Sequence, residues 1–213
     1  MPPTRPPCLI FDLDGTISDP VVGIGRSINY ALESFGYPVI AESEMSRYVG
    51  PPLEDTFLER APGCGHDVVL GMIAKYRERY GEVGFSENVL YPGIPEVLAR
   101  LSASGATMGV CTTKKVDFAE QILAMFGLRS HFAFVSGGDI GVRKHQQLEQ
   151  LLANGAVTLD AVMIGDRATD IAAARTNGLR GVGVLWGHGS REELEGAGPE
   201  RLLERPEELE EAW

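Results

Sequence analysis

Cys8-Leu9-Ile10-Phe11-Asp12-Leu13-Asp14-Gly15-Thr16 is the stretch that decides the fold of this chain. A run of apolar residues closed by a turn signal reads as a strand buried on both faces. Asp and Gly favour turns, but a buried strand that leads straight into two acids is unusual, because carboxylates are costly away from water. Asp12 and Asp14 are therefore read as site residues at the strand's carboxyl end, where open α/β sheets bind ligands.

Downstream the pattern changes. Ile24, Ile28, Ala31, Leu32 and Phe35 recur at helical spacing until Gly36 supplies a stop. Further helices are expected over 52–60 and about 67–80, with no strand signal to match the first. After Tyr91-Pro92-Gly93, helix and strand alternate. Helices are expected over 95–104, 116–126, 144–153 and 171–177, and strands over 107–111, 132–135, 161–164 and 181–185. This order predicts an α/β fold, a doubly wound parallel sheet covered on both faces. A helical unit at 18–88 is inserted after the first strand, and residues 1–17 and 89–213 form the sheet domain.

In such a sheet the strand ends converge on one edge. That edge receives Asp12-Leu13-Asp14-Gly15-Thr16, then Cys111-Thr112-Thr113-Lys114, then Gly165-Asp166-Arg167-Ala168-Thr169-Asp170. Carboxylates suit a hard cation through oxygen, while hydroxyls and lysine suit an anion such as phosphate.

DLDGT, a Thr followed by a hydroxyl residue and Lys, a further Lys, and then GDxxxD resemble, in this order, the haloacid dehalogenase-like hydrolase superfamily. The resemblance covers nearly the whole chain. YVGPPLEDTF, YRERY and ENVLYPGIPEVL are similar to its phosphoglycolate phosphatase-like and 5′-nucleotidase-like branch. The resemblance implies a Rossmann-like core and a Mg²⁺-dependent phosphatase acting on a small phosphorylated molecule, with the insert as a helical cap. By the same resemblance Asp12 is the nucleophile and Asp14 the general acid/base. Asp12, the backbone carbonyl of Asp14 and Asp166 are the metal ligands. Thr112, Thr113 and Lys144 bind phosphate, supported by Gly15, Thr16 and Asp170, the last of which holds a metal-bound water or orients Lys144. Relatives often place this Lys three residues after an Arg. Here Arg143 directly precedes Lys144, so Arg143 stays a second candidate. Arg47 and Lys115 are candidate substrate contacts.

Composition narrows the partners. The net charge of −11, with no basic cluster to offset it, excludes a nucleic-acid polymer. No apolar run is long enough to suggest a membrane span. The Pro-rich start, Met1 to Pro7, lacks a signal-peptide core and reads as a loose leader, so a cytoplasmic monomer or homodimer is expected. Cys8, Cys64 and Cys111 show neither disulfide nor zinc spacing. His66, His131, His145 and His188 show no ligand spacing. Lys75, Arg77 and Arg79 read as a solvated face, and the tail at 204–211 as a closing amphipathic helix.

Other functions compete with this reading. The closest alternative is a 5′-nucleotidase acting on nucleoside monophosphates. A phosphosugar mutase is disfavoured by Thr16, where similar mutases usually carry Val. A dehalogenase has no use for Asp14. A phospho-acceptor regulatory module also groups acids, Thr and Lys on such a sheet, but it lacks the insert and the second acid.

Overall fold

The computed structural model describes residues 7–211. Of the expected leader, only Pro7 lies within them. The chain divides into two compact units. One gathers the described residues up to Asp19 and those from Leu90 onward, and the other is Pro20–Val89.

The first unit is a six-stranded sheet of β1 (Leu9–Phe11), β2 (Met108–Lys115), β3 (Phe134–Gly138), β4 (Val162–Gly165), β5 (Arg180–Val184) and β6 (Arg201–Leu203). Its spatial order is β3-β2-β1-β4-β5-β6, and all the pairings are parallel. Such a sheet must be covered on both faces. Ile10, Cys111 and Met163 pack on one side with Leu148, Ala173 and Ala174, while Leu9 and Phe11 are equally buried. Phe11 meets Phe132 edge-on, with ring centroids 6.1 Å apart. The strand order reverses between β1 and β4, the switch point at which such sheets open a crevice.

In the second unit, α1 (Val21–Ser34), α2 (Leu53–Arg60) and α3 (His66–Glu82) form a helical cluster. Phe35 lies past the end of α1, 39% exposed, and packs over Gly71 of α3 instead of joining the α1 stripe. Arg79 corrects the solvated-face reading. It is part-buried, donates to Ser27 Oγ at 3.0 Å and pairs with Glu87.

The remaining helices belong to the sheet unit: α4 (Ile94–Ala103), α5 (Val116–Met125), α6 (Lys144–Ala153), α7 (Ala168–Thr176) and α8 (Arg191–Ala197). Two expectations are corrected and two elements are added. β2 does not stop at Cys111 but runs on through Lys115. α8 and the edge strand β6 follow the strand expected over 181–185. The tail is a 3-10 turn, Pro206–Glu211, anchored by buried Leu209, because six residues suffice to seat one side chain. No described helix is long and apolar enough to cross a membrane.

Candidate active site

Register assembles the site. Phe11 pairs with Val110 on one side and Ile164 on the other. Asp12 therefore emerges one residue past that line, and Thr112 and Asp166 two past it, all at the same edge. The Asp12 N–H still donates to Ile164 O at 2.9 Å, which holds the acid in the last rung of the ladder.

Asp12, Asp166 and Asp170, all buried, each offer an oxygen within 4.8 Å of the others, so together they could hold a metal ion. The Lys144 ammonium stands 2.8 Å from Asp12 Oδ2 and also contacts Asp170 Oδ1. Asp170 thus has two tasks, since its Oδ2 accepts the Arg167 N–H at 3.0 Å at the start of α7. Asp14 stands apart from the carboxylate cluster. Its Oδ2 lies 2.9 Å from Lys114 Nζ, while Oδ1 is buried without a hydrogen-bond partner among the described residues.

The electrostatics follow from this crowding. Burial and the neighbouring Asp170 and Asp12 push Asp166 up to about 7, and burial pushes Asp170 up to about 6 against the pull of Lys144. Burial also raises Asp14, with Lys114 opposing. Burial works against the charge on Lys144, but Asp12 and Asp170 outweigh it and hold the ammonium above its ordinary pKa. Three buried acids facing one strongly held ammonium are short of positive charge, which is the condition a divalent cation relieves.

Thr112 is buried. Its Oγ1 accepts the Lys114 N–H at 3.3 Å, and its carbonyl accepts Gln147 Nε2 at 3.0 Å. Thr113 follows it on β2, half-buried. Gly15 adopts φ +81°, and a Cβ there would collide with the Asp166 carboxylate. Thr16 Oγ1 donates to Asp166 Oδ1 at 3.4 Å. Of the two basic candidates, Lys144 is the one placed at Asp12, whereas Arg143 precedes α6 and donates its N–H to Gln146 Oε1. Lys115 pairs with Asp117 on the exposed side, and Arg47 pairs with Glu59 within the helical unit.

The sequence places Lys114 at this edge without a role of its own, and it does not place His188 or Trp186 there at all. Lys114 is turned inward. His188 donates its N–H to Asp166 Oδ2 at 2.8 Å, and its ring lies 3.2 Å from Asp19 Oδ1. Trp186 Nε1 donates to Thr16 O at 2.9 Å. The Trp186-Gly187-His188-Gly189 loop after β5 therefore braces both Asp166 and the acid turn. Its glycines were the available signal, because a Cβ at Gly187 would strike Gly15 O and Asp166. Gly187→Ala is expected to lower the affinity for a divalent cation by about 10-fold or more, since displaced outer-shell partners misplace a ligand. Titration calorimetry would measure this, and unchanged affinity would release the loop from that role.

Comparison with known proteins adds to this geometry. A family model described as haloacid dehalogenase-like hydrolase matches residues 9–184. A 5′-nucleotidase of Pseudomonas aeruginosa is 36% identical, covering 89% of this chain and 87% of the relative. Tyrosine-protein kinase PtkA of Mycobacterium tuberculosis is 35% identical, over 88% of this chain and 65% of that protein. A phosphoglycolate phosphatase of Pectobacterium atrosepticum is 32% identical, over 92% and 88%. The crystal structure of a predicted phosphatase from Clostridium acetobutylicum superposes with a TM-score of 0.91 at 32% identity, covering 98% of each chain.

Proposed function

The chain belongs to the haloacid dehalogenase-like hydrolase family and is a phosphatase. From that premise we propose that it hydrolyses a small organic phosphomonoester by way of a phosphoryl group carried on Asp12, with Mg²⁺ as cofactor. The observation that carries the reading is the placement of Asp12 at the switch point, touched by Lys144 and grouped with Asp166 and Asp170.

The residues at the sheet edge support this reading in the following order. An Asp12 carboxylate oxygen attacks phosphorus, and the bond to the leaving oxygen breaks as Asp14 gives that oxygen a proton. Water then attacks the same phosphorus. Asp14 takes the proton, and the bond to Asp12 breaks to release phosphate and restore the carboxylate. Lys144 holds Asp12 by one oxygen and, with the Thr112 hydroxyl and Thr113, faces the phosphoryl oxygens in transit. Asp12, Asp166 and Asp170 would hold the cation, joined by the backbone carbonyl of Asp14. When bound, the cation supplies neutralising charge at the phosphoryl oxygens. The helical unit is proposed as the cap that excludes bulk water and contacts the leaving group.

Phosphate release from a panel of phosphomonoesters, with and without Mg²⁺, tests the reading. Chelation is expected to abolish turnover and added Mg²⁺ to restore it; full activity in chelator would sink the metal assignment. The panel should include phosphoglycolate and nucleoside 5′-monophosphates. The likeness to a 5′-nucleotidase favours the latter as a second reading. Phosphate released should equal ester consumed. A shortfall would mean transfer to an acceptor other than water.

The pH dependence of stability has a definite sign. Asp166 and Asp170, raised to about 7 and about 6 from 3.8, hold more protons in the folded than in the unfolded metal-free chain between those values. Stability of the metal-free protein therefore falls as pH rises through that window. Lys144 stays charged throughout and adds no slope. The expected result is that Mg²⁺ raises the melting temperature more at about pH 8 than at about pH 5.5, where protons already neutralise the site. An equal rise at both pH values would count against those shifts.

A further inference from the structure

We propose that Lys114 is a positioning residue for Asp14, clamping carboxylate Oδ2 so that Oδ1 is the oxygen that exchanges a proton with the leaving group. The inference rests on the reading of Asp14 as the acid and base. Lys114 Nζ lies 2.9 Å from Asp14 Oδ2, and the two side chains are only 5% and 10% exposed. A buried charge pair of this kind adds little net stability but fixes geometry. Asp14 Oδ1 is buried without a hydrogen-bond partner among the described residues. Such an orphan acceptor is rare in native interiors and calls for an explanation. A substrate atom that comes and goes supplies one.

The backbone is shaped to deliver this lysine. Between Cys111 and Lys115 the register of β2 against β3 shifts, since Cys111 pairs with Ser136 but Lys115 with Gly138. Four steps along β2 therefore match two along β3. Irregularities of this sort re-aim side chains beside active sites. Here Lys114 turns into the site, while Lys115 faces outward to Asp117. β3 makes room with two glycines. A Cβ at Gly137 would collide with the Val116 backbone, and one at Gly138 with the Thr113 carbonyl.

A leaving-group test separates clamping from bulk structure. An alkyl phosphate needs a proton on its departing oxygen, and an aryl phosphate with an acidic phenol does not. Single-turnover formation of the phosphorylated protein should be followed for wild type, Lys114→Met, Asp14→Asn and the double variant, with glycerol phosphate and p-nitrophenyl phosphate. Lys114→Met is expected to slow the alkyl ester about 10-fold or more and the aryl ester by about 3-fold or less. In the Asp14→Asn background the same change should add nothing, because residues acting as a unit are non-additive. Lys114→Arg should recover part of the alkyl rate, and it serves as the test variant if Lys114→Met fails to fold. Equal losses on both esters, or a full additional loss in the Asp14→Asn background, would overturn the clamp. If Asp14→Asn itself shows no leaving-group dependence, the acid/base reading falls first and takes the clamp with it.

Discussion

Asp12→Asn is expected to lower phosphate release by roughly 10⁴-fold or more with the fold intact, as removal of a nucleophile does elsewhere. The amide is nearly the same size as the carboxylate, and the backbone bond from Asp12 N–H to Ile164 O is untouched. What is lost is the oxygen proposed to attack phosphorus and one of the three carboxylates, with those of Asp166 and Asp170, that could hold a metal ion. Removing one of three crowded acids relieves repulsion, so the metal-free variant should melt no lower than the parent. Circular dichroism and a thermal melt check the fold, and a phosphate assay on the preferred ester checks the rate. Turnover within about tenfold of wild type would mean that Asp12 is not the attacking group.

Lys144→Met carries the largest expected effect on stability. The Lys144 side chain is 6% exposed, and its ammonium lies against both Asp12 and Asp170. Methionine matches its length but leaves three buried acids without a counter-charge. Breaking a buried pair on one side only costs about 3–5 kcal/mol, most of it at a pH where the acids are ionised. Saturating Mg²⁺ should return part of that loss, because an ion that binds only the folded chain stabilises it by mass action. Activity should fall by roughly 10²-fold or more even with metal present, since the charge proposed to face the phosphoryl oxygens is gone. Denaturant titrations in chelator and in Mg²⁺ read the stability effect. A variant as stable as its parent in chelator would show that the lysine does not compensate the acids.

The sheet and its acidic edge are legible in the sequence because both depend on local patterns. Leu9–Phe11 and Val162–Gly165 are short apolar runs, and each passes directly into its acid, so parallel register alone carries Asp12 and Asp166 to one edge. α6 runs over Lys144–Ala153, the span expected from the sequence. Other features depend on contacts that no local pattern encodes. Lys114 is placed at the edge by its segment, but its pairing with Asp14 depends on the register shift beside Gly137 and Gly138, which no local pattern encodes. The brace from Trp186 to Gly189 joins positions some 170 residues apart, as in the bond from Trp186 to Thr16. α8 is short and charged and β6 has three residues, so neither sustains a period long enough to read. Arg79 shares a basic run with Lys75 and Arg77, and its burial follows from the distant Ser27 and Glu87.

The most direct test of the account is to catch the phosphoryl group on the protein. Enzyme mixed with substrate and Mg²⁺, quenched in acid within one turnover and digested, should yield a phosphorylated peptide containing Asp12. The label should be absent from Asp12→Asn and lost on a short chase in buffer. Wild-type turnover with no phosphorylated peptide, or with the label on a residue other than Asp12, would contradict it.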